Sequence, residues 1–135
     1  RATITFNGTT VGDVGTDTVF TISGRVRVVL LTAFCTTDLA GATATLSLGT
    51  ATLTAGLIAL TTATDIDEND WWTAAAPAAG PKNILVETSS GTAAQVKDKL
   101  ISENIILTTA TAAITSGVLV IDIYYEPLTD GATLS

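Results

Sequence analysis

The chain has 135 residues, a formal net charge of −7 and no histidine, with 47 % hydrophobic and only 14 % charged residues. That length suits one domain with a real core, and that apolar content excludes ordinary disorder. The acidic balance argues against nucleic acid and anionic membranes as partners, since Arg1, Arg25, Arg27, Lys82, Lys97 and Lys99 form no stripe that would neutralise phosphates.

In chain order, residues 2–6 alternate and end at Asn7-Gly8, a strand followed by a tight turn. Residues 9–17, rich in Gly and Asp, read as loop. Residues 18–23 form a short apolar strand around Phe20, broken by Gly24. Residues 25–34 form a strong strand with Val26, Val28 and Leu30 on one face and Arg25, Arg27, Val29 and Leu31 on the other. Residues 35–41 are expected to be a connection. Residues 42–48 alternate, with Ala44, Leu46 and Leu48 inward and Thr43, Thr45 and Ser47 on a threonine-lined outer face.

The stretch 56–81 is the least repetitive part of the chain. It passes from the apolar run Leu57-Ile58-Ala59-Leu60 to the acids Asp65, Asp67, Glu68 and Asp70, then to both tryptophans and an Ala/Pro/Gly segment. Residues 83–88 read as a strand. Thr92-Ala-Ala-Gln95 fits a capping box, which predicts one or two helical turns to about Lys99. Residues 103–108 are a strand, 110–117 a connection, and 118–126 the last and longest strand. In it Leu119, Ile121, Ile123 and Tyr125 face one way, with Asp122, Tyr124 and Glu126 opposite. Pro127 ends it, and residues 128–135 are expected to be a polar, mobile tail.

About eight short strands with Gly/Asn/Asp turns, no βαβ alternation and at most one short helix predict an all-β fold, an antiparallel, jelly-roll-like β-sandwich occupying residues 1–135 as a single domain. No apolar run is long enough to span a membrane as a helix. No secretory signal is visible, and the chain begins at Arg1 without Met.

The chemistry-bearing residues point away from catalysis. Without histidine neither a Ser/His/Asp nor a Cys/His set can be assembled. Gly12, Gly15 and Gly24 lack the spacing of a phosphate loop. Asp and Glu alone suffice for a glycosidase, but nothing in the sequence selects a pair. Asp65, Asp67 and Asn69 stand at the first, third and fifth positions of a calcium loop. Its sixth position is Asp70 instead of Gly and its twelfth is Ala76 instead of Glu, so the EF-hand pattern fails. The expectation is therefore no catalytic residue, no metal and no cofactor. Cys35, the one cysteine, reads as a small buried hydrophobe rather than a nucleophile.

Trp71 and Trp72 are the candidate interface residues. Neighbours on a strand point to opposite faces, so one can enter the core while the other stays outside. Two roles are open to them: packing of both under a long loop, or one as the anchor of a subunit or partner contact, where Trp is enriched.

Several segments carry a resemblance. The run Gly24 to Phe34 is one, and Cys35-Thr-Thr-Asp38-Leu-Ala-Gly41 another. A third is Leu57-Ile-Ala-Leu-Thr-Thr-Ala-Thr-Asp-Ile-Asp67 with its following Trp; the fourth is the ending Ile114-Thr-Ser-Gly-Val-Leu-Val-Ile-Asp-Ile-Tyr-Tyr-Glu-Pro-Leu128. Together they resemble small virion structural proteins encoded among the head and tail genes of tailed bacteriophages. The resemblance implies a capsid decoration, or cement, protein on the outer surface of the phage head, with the major capsid protein as partner. It brings no catalytic or ligand residue. The expected assembly is a homo-oligomer, a trimer at a three-fold position of the shell. The alternatives are a tail or head-tail component or, in a different class, a calcium- or carbohydrate-binding β-sandwich module.

Overall fold

A computed structural model describes residues 1–73 and 96–135. Their strands are β1 (Ala2–Thr5), β2 (Gly15–Phe20), β3 (Ile22–Ser23), β4 (Val26–Ala40), β5 (Thr45–Gly49) and β6 (Ile58–Thr62). A 3₁₀ turn, Ala63–Asp65, follows. Then come β7 (Trp71–Trp72), β8 (Val96–Ile101), β9 (Ile105–Ala110), β10 (Ser116–Pro127) and β11 (Thr133–Leu134).

Every strand pairing among the described residues is antiparallel. One sheet has the order β1–β10–β4, with β8 and β7 end to end along the far edge of β4. The other has the order β2–β9–β5–β6, and β3 and β11 form a small ribbon of their own. With β3 and β11 set aside and β7 and β8 counted as one edge position, eight strand positions remain. The first pairs with the last (β1 with β10), the second with the seventh (β2 with β9), the third with the sixth (β4 with β7 and β8) and the fourth with the fifth (β5 with β6). That nesting is a long hairpin rolled into two layers, the jelly roll that the spacing of short strands predicts.

Between the layers lies the core. Leu46, Leu48, Ile58 and Leu107 from one sheet meet Val26, Val28, Leu119 and Ile121 from the other. On β10 the expected faces are found: Leu119 and Ile121 are fully buried, Ile123 and Tyr125 pack at the core's edge, and Tyr124 points to solvent.

On β4 the expected faces hold only at the start. Val26 and Val28 are buried, but Leu31, not Leu30, is the next buried residue. The cause is a bulge. Tyr125 pairs with Val28 and Tyr124 with Leu30, so Val29 is extra and side-chain parity flips beyond it. Nor does β4 end at Phe34. It continues through Cys35 to Ala40, still paired with β10, so residues 35–40 are strand rather than connection. A second bulge at Thr36 follows, and at Gly117 the backbone has φ +121° with the Leu39 side chain against its Cα, a place where a Cβ does not fit.

Other expectations change too. The helical turns expected up to Lys99 are strand from Val96, because β8 pairs with Val26–Leu31 of β4 and the ladder overrides local helix propensity; residues 92–95 and the expected strand 83–88 lie outside the described residues. The loop 9–17 is shorter than expected, since β2 starts at Gly15. Ser47 keeps its outward register but is buried, its hydroxyl donating to the Thr54 carbonyl at 3.0 Å. The segment 128–135, expected to be mobile, buries Ala132 and pairs Thr133 and Leu134 with Ser23 and Ile22.

Candidate functional site

The two tryptophans sit where β7 reaches β4. Trp71 pairs with Phe34 and Trp72 with Ala33, so their side chains leave on opposite faces of the first sheet. Trp72 goes inward and is 2 % exposed. Its indole N–H donates to Thr61 Oγ1 at 2.9 Å, and the Thr61 hydroxyl in turn donates to the Ala59 carbonyl at 3.0 Å. Thr61 faces the core because β6 carries an extra residue between the pairs Leu46–Thr61 and Leu48–Ile58, which also turns Leu60 out to solvent. The indole N–H is thereby satisfied inside the core.

Trp71 emerges half-buried on the outer face of the first sheet. Its ring lies 4.7 Å from that of Phe34 at an interplanar angle of 57°. Register places Thr3, Val120, Phe34 and Trp71 in one row across four strands. A shallow groove of about 320 Å³ runs along this row, lined by Arg1, Phe34, Thr36, Trp71, Val120 and Asp122. At its rim Arg1 forks onto Asp122, Nε and Nη2 donating to the two carboxylate oxygens at 2.7 and 2.8 Å. That hydrogen-bonded guanidinium holds the Asp122 carboxyl below its ordinary range. Further along the same face, Tyr124 stands beside Leu30, and Arg27 bridges Asp98 of β8 and Glu126 of β10.

The outer face of the second sheet differs in kind. Thr16, Thr18, Thr45, Thr62 and Thr108 line it, as the alternation in β5 predicts for that strand. Among the described residues an aromatic, apolar row is thus confined to the outer face of the first sheet.

Comparison with family models, with curated proteins and with solved structures gives no match.

The acidic stretch closes the end of the sandwich near Ala40. Glu68 N–H donates to Asp38 Oδ1, Asn69 N–H to the Cys35 carbonyl at 2.8 Å, and Cys35 N–H to the Asp70 carbonyl at 2.9 Å. Asn69 takes φ 70°, a left-handed conformation that Asn tolerates. Asp70 turns into the protein and is buried, whereas Asp67 and Glu68 stay outside. Among the described residues no three His, Cys, Asp or Glu side chains converge on a point where a metal ion would sit. Cys35 is fully buried beneath this loop, and desolvation pushes its thiol up to about 11.

Parity along β7 separates the two tryptophans in the sequence, but not which of them goes inside. The register with β4 decides that: Trp72 pairs with the buried Ala33, and Thr61 then accepts from the inward indole. Phe34 is not marked as outward by the sequence because the bulge at Val29 hides the parity of β4, and its meeting with Val120 of β10 follows only from the pairing of the two strands.

Proposed function

We propose that the protein is a virion structural protein of a tailed bacteriophage, a capsid decoration protein that holds to the outside of the head through the outer face of its first sheet. The observation that carries this reading is the row of Val120, Phe34 and Trp71 on that face. It is an aromatic patch with a half-exposed Trp at its edge and ion pairs at its rim, the anatomy of a protein–protein contact. The segments with the phage resemblance include β4 and β10, the two central strands of this face. Trp72 is in the core, so the anchor falls to Trp71. The partner on this reading is the major capsid protein, and the decorating unit is a closed homotrimer, since linked copies gain avidity on a repeating shell. The reading assigns no catalysis, no cofactor and no nucleic-acid partner.

The test is rebinding to particles stripped of the protein. Trp71→Ala is expected to fold normally and to weaken attachment about thirtyfold or more, the roughly 2 kcal/mol of an interface anchor. Attachment to tails instead of heads moves the protein to the tail or head-tail machinery. Glycan binding or a calcium-dependent rise in melting temperature, with no attachment to particles, replaces the reading with a binding module.

A further inference from the structure

We infer that the end of the sandwich opposite the acidic loop is where one copy of the chain meets the next. The inference rests on the reading of the chain as an oligomeric structural protein, and it assigns the contact between copies to a surface separate from the Trp71 face.

Three of the large apolar side chains most open to solvent gather at that end: Leu100 at 74 % exposure, Leu53 at 64 % and Leu128 at 51 %. Leu100 stands at the end of β8 as a ridge between two clefts. The larger, about 380 Å³, lies toward Leu53, Leu57 and Glu103; the smaller, about 320 Å³, lies toward Arg25, Val26 and Leu128. Leu100, Ile101 and Ser102 form the shared wall of both. A ridge beside a cleft is self-complementary in shape. A symmetry rotation lets Leu100 of each copy enter a cleft of its neighbour, which removes from water side chains that the single chain leaves exposed.

Charge selects a second copy as the occupant. The chain carries −7 overall, so two copies repel on most approaches. Asp13, Asp38, Asp65, Asp67 and Glu68 make the Ala40 end of β4 the most repulsive. Among the described residues, every cation except Arg1 lies at the Leu100 end: Arg25, Arg27, Lys97 and Lys99. They are matched there by four acids, Asp98, Glu103, Glu126 and Asp130. One end of an acidic molecule is thus balanced in charge, and that is the end with the ridge and the clefts. Glu103 is moreover held at the cleft rim by the Thr52 hydroxyl and N–H, at 2.6 and 3.1 Å, which fixes one anionic point for a neighbour's cation.

The experiment is sedimentation of the full chain over a concentration series, with Leu100→Asp, Leu53→Asp and, as a control on the far sheet edge, Leu60→Asp. The expected result is a closed oligomer for the unmodified chain and for Leu60→Asp, and for Leu100→Asp a monomer with native circular dichroism whose melting temperature no longer depends on concentration. If Leu100→Asp misfolds, Leu53→Asp decides in its place. A monomeric unmodified chain, an oligomer that survives Leu100→Asp, or equal disruption by Leu60→Asp overturns the inference. Rebinding to stripped particles reads the other surface. Trp71→Ala is expected to lose attachment yet remain oligomeric, so failure of the shell reading and failure of this one give different results.

Discussion

Thr61→Val tests whether the buried indole bond holds Trp72, and through it Trp71, in place. The substitution keeps shape and removes only the hydroxyl. In the fold this leaves the Trp72 N–H without its acceptor and the Ala59 carbonyl without its donor, in surroundings where Thr61 is 3 % exposed. A buried group stripped of its partner costs about 1–3 kcal/mol. For a domain of this size that lowers the melting temperature by about 3–5 °C per kcal/mol. Trp72→Phe removes the other partner and some packing besides, so its own cost is larger. The informative quantity is the cycle. With both partners gone the orphaned indole N–H is removed and only the Ala59 carbonyl still lacks its donor, so the double variant is expected to fall short of the sum of the singles by about 1 kcal/mol. Unfolding in urea followed by far-ultraviolet circular dichroism measures all four proteins without relying on the indole signal that Trp72→Phe alters. Additivity within about 0.5 kcal/mol would show that the bond contributes nothing, and that packing alone positions the pair.

Ile121→Ala is expected to cost about 2–5 kcal/mol, because Ile121 is fully buried against both sheets, while Asp122→Ala costs much less; the reverse order in denaturant unfolding refutes the register of β10. The Asp122 carboxyl is depressed by Arg1, so the unfolded chain binds its proton more readily than the folded one. Its contribution is therefore full above the ordinary value of 3.8 and is lost as the pH falls through the lower folded value. Melting curves of the unmodified chain and Asp122→Asn should differ at neutral pH and converge in strong acid. Cys35, buried with its thiol raised to about 11, is expected not to react with a thiol reagent at mildly alkaline pH until the protein is unfolded. Calcium is expected to leave the melting temperature unchanged, and a rise abolished by Asp67→Ala refutes that.

How much of this was legible in the sequence depends on the element. In β10 Asp122 and Glu126, set against Ile121, Ile123 and Tyr125, mark the outer face, and that parity extends back through the apolar run 118–121. In β4 Leu30 and Leu31 are both apolar, so the extra residue at Val29 leaves no trace in the pattern, and only the partner strand reveals it. Cys35-Thr-Thr-Asp38 followed by Gly41 looks like a connection because polar residues and a glycine are also what a bulged strand uses when it bends. The run Val96-Lys-Asp-Lys-Leu-Ile101 favours helix locally, and its strand state is imposed by β4. Of the site, the sequence marks Trp71 and Trp72 by type and separates them by parity; Arg1, Phe34, Val120 and Asp122 reach the same groove only through pairings between strands far apart in the chain.

The nesting of first strand with last sets the order in which the protein can be made. Among the described residues β1 pairs only with β10 and β3 only with β11, so residues 2–5 wait for residues 118–121 and residues 22–23 for residues 133–134. A chain leaving the ribosome holds residues 2–5 unpaired until residues 118–121 have emerged. Loops of this length make closure slow, and folding in milliseconds to seconds is the range for such non-local sheets. During that wait the edges of the forming sheets are open, and neighbouring nascent chains can exchange strands with one another. A chain cut before Thr133 lacks the partner of Ile22 and Ser23, so it is left with β3 unpaired and closes poorly.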